Sequence, residues 1–242
     1  MIGDIIPFFD HWKCLPHQRA AVQQLWEAVP ASLKNDDAAW YAAWKADGKQ
    51  QTPRQITNPL RVPYYSQRDS QTAHAMRMCF SSSCAMLLEA IRPGTLHGPN
   101  GDDAYLGRVL RFGDTTDSVS QLKALQSFGV QASLTHGADW LTIQRQIDAG
   151  FPVPIGILHK GPVSAPQGGG HWICAIGYSD DALIVHDPFG NLDLVNGGYL
   201  NNWGARLRYP KRNLGPRWMV DATNGNAFAP GHGWAIIAKA AA

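Results

Sequence analysis

The stretch Met78-Cys79-Phe80-Ser81-Ser82-Ser83-Cys84-Ala85-Met86-Leu87-Leu88-Glu89-Ala90-Ile91 constrains the fold more than any other part of the chain. Cys84, Leu87, Leu88 and Ile91 recur at helical spacing, so the run is predicted to fold as a helix with one buried face. It ends at Arg92, because Pro93 cannot continue the hydrogen-bond ladder and Gly94 provides a stop. The three serines suit the N-cap and first turn, where their hydroxyls satisfy amides that lack a helical partner. Cys79 then sits at or just before the first turn, where the positive end of the helix dipole favours a thiolate. A nucleophilic cysteine belongs at such a place.

The 242 residues suffice for one full core, with or without a small appendage. A net charge of +2 is too mild for a nucleic-acid-binding surface. No apolar run reaches membrane-spanning length, and the first residues, Met1-Ile2-Gly3-Asp4-Ile5-Ile6-Pro7, lack the regions of a secretory signal. Cys14, Cys79, Cys84 and Cys174 form neither C-x-x-C pairs nor a disulfide framework. A reducing compartment is expected, with no metal and no cofactor.

Residues 1–58 read as a helical N-terminal appendage and linker, and residues 59–242 as the main domain. Leu15, Val22, Leu25, Trp26 and Val29 mark one appendage helix, and Trp40, Tyr41 and Trp44 mark a second beyond Pro30. In the main domain the segment from Arg61 to Gln67 is extended in character. Helices are predicted after the Cys79 helix at 102–111, 120–128 and 139–149, the last capped by Asp139. Val130 to Thr135 is strand-like. Further strands are expected at 153–159, 171–178, 182–187 and 234–238. Helices first and strands after describe an α+β fold with an antiparallel sheet.

Two of these strands make a hairpin around Ser179-Asp180-Asp181. Opposed positions in a hairpin have a constant sum, here about 360, which places His171 beside Asp187 to Gly190. His171, Ile173 and Ala175 share one face, and Cys174 points to the other. Cys174 is therefore a core residue, as is Cys84 on the apolar face of its helix. Cys14, with His11 and His17 near it, fits plain surface residues better than a metal site. His74 is a rival to His171 as a base but has no carboxylate in hairpin register. His159 ends a strand and lines the expected cleft, whereas His186 alternates away from Asp187. Gly168-Gly169-Gly170 either bares the backbone for a substrate or forms a flexible loop. Cys79, His171 and Asp187 make a papain-type constellation of nucleophile, base and orienting carboxylate. Gln67 is the candidate oxyanion donor, because its amide cannot be deprotonated.

Val62-Pro63-Tyr64-Tyr65-Ser66-Gln67, Cys79-Phe80-Ser81-Ser82-Ser83-Cys84-Ala85-Met86, Gly169-Gly170-His171-Trp172 and His186-Asp187-Pro188 resemble the bacteriocin-processing-like cysteine peptidases. The run from Gly156 to Pro162, with Asp187-Pro188-Phe189-Gly190 and Gly197-Gly198-Tyr199, looks like the branch found in bacteriophage endolysins. The resemblance covers roughly residues 60 to 238. It implies a papain-like fold, with Cys79 as nucleophile, His171 as base, Asp187 as orienting carboxylate and Gln67 in the oxyanion hole. Phe80-Ser81 stands where the family usually has Gly-Pro, which makes the start of the helix bulkier and is expected to narrow the cleft.

On that footing the expected function is a bacteriolytic cysteine peptidase or amidase that cuts peptidoglycan stems or cross-links as a phage endolysin. Such a protein is expected to be a monomer that stays in the host cytoplasm until its release to the cell wall. The alternatives are a leader-processing cysteine peptidase and a non-catalytic wall-binding module of the same fold. The leader-processing form is familiar as a domain fused to a transporter, and no span is seen here. A zinc amidase is disfavoured because no H-E-x-x-H pattern occurs. Arg206, Arg208, Lys211, Arg212 and Arg217 read as a solvated basic loop.

Overall fold

The computed structural model describes residues 57–239, together with 24 and 26–28. The chain divides into two compact units, Met1–Gln55 and Ile56–Ala242. In the first unit, Gln24 and residues 26–28 are helical. The rest of the two expected appendage helices, most of the linker, and Cys14 with His11 and His17 lie outside the described residues.

The second unit begins with three helices: α1 (Cys79–Ile91), α2 (Gly101–Val109) and α3 (Ser118–Ser127). Asp117 caps α3 through the amides of Val119 and Ser120. Strand β1 (Ala132–Ala138) and helix α4 (Trp140–Asp148) follow, with Asp139 accepting from Thr142 N as the N-cap. Then come β2 (Val153–Ile157), β3 (His171–Tyr178), β4 (Ala182–His186), β5 (Asn191–Leu192), β6 (Tyr199–Asn201) and β7 (Leu207–Pro210). Helix α5 (Lys211–Trp218), β8 (Met219–Asp221) and β9 (Ala227–Ala238) complete the unit. The main sheet runs β1-β9-β2-β3-β4-β7, with β8 on β9, while β5 and β6 pair separately. Every pairing is antiparallel.

Alternation along the strands sends side chains into two cores. Cys174, Ile176 and Ile236 pack with Phe80, Cys84 and Leu87 of α1 and with Leu125 of α3. Ile155, Ile173, Ala175 and Val185 pack on the opposite face with Ile143 and Ile147 of α4 and Trp218 of α5. The β3–β4 register is Cys174↔His186 and Ala175↔Val185, then shifts before Gly177↔Ile184. At the open end of the hairpin the register thus matches the expected one.

Three local expectations need correction. The serines of α1 do not cap it: Met78 holds the N-cap position with no side-chain cap bond, and Ser81, Ser82 and Ser83 are buried. Burial turns their hydroxyls sideways, Ser81 Oγ to Thr115 Oγ1 at 2.7 Å and Ser82 Oγ to Asp102 Oδ2 at 2.6 Å. The basic segment is not a loop, because it forms β7 and α5, although Arg206, Arg208 and Arg212 are solvated as expected. Arg217 is fully buried and donates to the carbonyls of Leu194, Leu158, Lys160 and Gly161. Such a guanidinium offers several fixed donors to a loop whose carbonyls would otherwise lack partners. The sheet also extends beyond the five expected strands, since β7, β8 and the first half of β9 carry mixed, polar-rich sequence without a clean alternation. Among the described residues no helix is long and apolar enough to cross a membrane.

Candidate active site

The first turn of α1 meets the first residue of β3 at the end of the main sheet. Phe80 of α1 and Trp172 of β3 stack there with ring centroids 3.7 Å apart. Each directly follows a candidate site residue, so Cys79 and His171 are brought to one cavity of about 260 Å³, which Gln67 also lines. Cys79 is partly exposed, whereas Cys84 and Cys174 are buried.

His171 is buried, and its Nε2 lies 2.7 Å from Asp187 Oδ1. A carboxylate can only accept, so Nε2 carries hydrogen, which leaves Nδ1 for Cys79. Cys79 lines the same cavity and favours the charged form of the imidazole. Burial opposes a charged ring, but Asp187 and Cys79 outweigh it and hold the imidazole well above its ordinary pKa. The arrangement therefore favours an imidazolium hydrogen-bonded to Asp187.

Asp187 is itself fully buried just past β4. Oδ1 also accepts from Phe189 N at 3.0 Å, and Oδ2 accepts from Tyr209 Oη at 3.1 Å. Its own amide donates to Gly204 O at 2.8 Å. Only glycine fits at 204, since a Cβ there would lie 1.8 Å from Asp187 O. Tyr209 and Gly204 were not expected at the site: they come from a segment after the hairpin, and no local pattern announces the long-range approach.

Gln67 opens a short 3-10 turn, Gln67–Asp69, and its amide donates to Pro188 O at 3.0 Å. Its side-chain Nε2 donates to Ala75 O at 2.7 Å, which fixes the carboxamide and leaves a second N–H on the same nitrogen. The walls are Phe80, Trp172, Gly169 and Gly170, with His159, Phe189 and Tyr199 around the imidazole. Tyr199 packs edge-on to His171 at 5.8 Å, and His159 lies 5.5 Å from it. His74 does not line the cavity, and His186 is buried with Nε2 donating to Val62 O at 3.1 Å. Phe80 is itself buried, so its bulk is taken up by the stack on Trp172 and it lines the cavity as part of a wall. Among the described residues no group of three His, Cys, Asp or Glu side chains is placed to hold a metal ion.

The sequence profile described as the Peptidase_C39 like family matches residues 59–207. No curated protein sequence matches the chain. A solved double glycine motif protease from an AMS/PCAT transporter, in complex with a leader peptide, is 16% identical, covering 75% of this chain and 93% of that one with a TM-score of 0.41. The peptidase domain of Streptococcus ComA, a bi-functional ABC transporter of a quorum-sensing pathway, is 18% identical over 69% of this chain and 93% of that one, with a TM-score of 0.41. A putative C39-like peptidase from Bacillus anthracis is 14% identical over 75% of this chain and 96% of that one, with a TM-score of 0.48. The fold is the expected one, α+β and papain-like, with helices packed against an antiparallel sheet.

The same match overturns the endolysin branch, and with it peptidoglycan stems as partner and a lytic endopeptidase or amidase activity. The residues that suggested that branch have structural work in this fold. Leu158, Lys160 and Gly161 present carbonyls to Arg217, and Gly198 N donates to His159 O. They build a wall of the cleft.

Proposed function

The chain belongs to the Peptidase_C39 like family, and from that premise we propose that it is a cysteine peptidase that cuts a leader segment from a precursor polypeptide. The observation that carries the reading is His171, buried between Asp187 and Cys79 in a cleft that Gln67 also lines. Cys79 Sγ attacks the scissile carbonyl carbon. The second N–H of Gln67 Nε2 and the Cys79 amide, which has no helical partner at the first turn, face the oxyanion. His171 then gives its Nδ1 proton to the leaving nitrogen as the C–N bond breaks, which leaves a thioester on Cys79. Water, deprotonated by the same nitrogen, hydrolyses the thioester. Asp187 holds the ring and stabilises its charge throughout.

The motifs around Gln67, Cys79, His171 and Asp187 resemble those of bacteriocin-processing-like peptidases, which supports a leader as substrate. The Phe80–Trp172 wall and the bare backbone of Gly169 and Gly170 suit an extended peptide with small side chains at the cleavage point. Mass spectrometry of leader-bearing precursor peptides incubated with the chain and with Cys79→Ala tests the reading. A single cut made only by the unsubstituted chain is expected. Absence of thiol-dependent cleavage, or equal cleavage by Cys79→Ala, overturns it.

A further inference from the structure

Among the buried polar atoms without a hydrogen-bond partner, Gln67 Oε1 lies on the Cys79 side of the cleft, and the Tyr199 hydroxyl and His159 Nδ1 lie beside the His171 imidazole. Tyr199 and His159 line the cavity that holds Cys79 and His171. Their rings lie 6.4 Å apart, and each packs beside the His171 imidazole. Buried polar groups are almost always paired, so the two orphans beside His171 mark a place where a ligand completes the bonding.

The backbone that carries both side chains is held in place. Arg217 grips the carbonyls on both sides of His159, those of Leu158 and Lys160, and Gly198 N donates to His159 O at 3.2 Å. That last bond ties the residue before Tyr199 to His159 itself. Gly168 keeps the approach to the ring open: it has φ +115°, and a Cβ there would stand 3.2 Å from His159 Nδ1. The wall is preorganised, and its missing element is the partner of the two orphans.

The chemistry of that partner follows from the surrounding charges. Asp187 and Cys79 both act on the Tyr199 phenol and disfavour an anion beside it. His171, Lys160 and Arg217 all act on His159 and disfavour a cation. Burial first, then those positive neighbours, lower the His159 pKa to about 4, so the ring is neutral near pH 7 and offers one nitrogen that donates or accepts. Tyr199 stays a neutral hydroxyl, because burial and the nearby negative charges push its pKa far up. Cys79 and Gln67 stand on the acyl side of the scissile bond. His171 must deliver a proton to the leaving nitrogen, so groups flanking it border the departing peptide.

We propose that Tyr199 and His159 form a specificity subsite that takes a neutral hydrogen-bonding side chain, a carboxamide or hydroxyl, from the residue just after the scissile bond. The inference rests on the peptidase reading above and adds to it the class of side chain that the enzyme selects.

A randomised peptide pool digested by the full chain and read by mass spectrometry provides the test. Asn, Gln, Ser and Thr are expected to be enriched just after the cut. Each apolar isostere, Leu for Asn or Val for Thr, should lower kcat/KM by about tenfold or more, because it strands two buried polar groups. In Tyr199→Phe/His159→Leu the ratio of kcat/KM for the Asn and Leu peptides should fall towards one, and His159→Gln should restore part of it. A ratio within one enzyme sample cancels the active fraction, so partial misfolding cannot imitate the result. Peptides cut without this preference, or a preference that survives the double substitution, would overturn the subsite. A pool left uncut in a thiol-dependent way would instead sink the peptidase reading itself.

Discussion

The rings of Phe80 and Trp172 lie face to face, with centroids 3.7 Å apart and planes 1° from parallel. Each follows a site residue in sequence, Phe80 after Cys79 and Trp172 after His171, so one stack fixes how the start of α1 meets the start of β3. The thiol and the imidazole inherit their separation from it. Phe80→Ala should cost about 3–5 kcal/mol of stability, as large-to-small core changes do. It should also lower turnover at least tenfold, because a small displacement of reacting groups costs rate steeply. Urea denaturation and kcat of the folded variant check both effects. Lower stability with full turnover would reduce the stack to plain packing.

Cys79→Ala should abolish peptide cleavage, whereas Cys84→Ala and Cys174→Ala should leave it and cost about 1 kcal/mol of stability each. The latter two thiols are fully buried, and burial pushes both pKa values up, first among the causes in each case. A thiol alkylator should therefore label Cys79 in the folded chain and stop turnover, while a strong chelator should not. Peptide mapping after brief alkylation, beside turnover in chelator, decides the matter. Cleavage that survives in Cys79→Ala, or that the chelator stops in folded protein, would defeat the thiolate mechanism.

What the sequence made legible was local. Cys79, the run to Ile91 and the Asp139 cap each depend on neighbours within a helical turn or two, and the His171–Asp187 pairing follows from hairpin arithmetic alone. Tyr209 and Gly204 were invisible, because their contacts with Asp187 come from segments that return after the hairpin. Arg217 misled because a run of basic residues looks solvated, and only the packed loop beneath it presents carbonyls for a buried guanidinium. The endolysin branch was read from the glycines and strand ends near His159 and Tyr199. Those residues build the cleft wall, through carbonyls held by Arg217 and the Gly198 N to His159 O bond.

Tyr209 Oη donates to the Asp187 oxygen that His171 leaves free, at 3.1 Å. Tyr209→Phe should cost about 1–3 kcal/mol of stability, the range for losing a hydrogen bond to a charged acceptor, with a modest fall in turnover. Asp187→Asn should do far more damage to rate, up to about 10⁴-fold, since its amide can present N–H to the ring and favour the wrong tautomer. The alkylation rate of Cys79 at neutral pH should fall in Asp187→Asn as the ion pair weakens. Unchanged alkylation with unchanged kcat in that variant would mean that another group orients His171.

The buried histidines make stability depend on pH in opposite directions. His186 Nε2 donates to Val62 O, and Nδ1 accepts from Arg206 N at 3.0 Å, so the ring cannot take a second proton without losing a bond. Burial foremost lowers its pKa to about 4. An unfolded imidazole titrates near ~6.5. The His186 contribution is thus present above ~6.5 and is lost as pH falls from there through about 4. His171 has the reverse sign: its raised pKa, about 10, makes its contribution full below ~6.5 and lost as pH rises through the folded value. Asp102 also works against His186 in acid, because burial raises its pKa to about 7 and its charged form destabilises the fold above ~4. Only a comparison of variants separates these terms. Urea midpoints from pH 7 to pH 4 should fall less in His186→Gln than in the unsubstituted chain, after a lower start at pH 7 from the lost bonds. Parallel acid limbs for the two proteins would show that His186 is not a group whose protonation opens the fold.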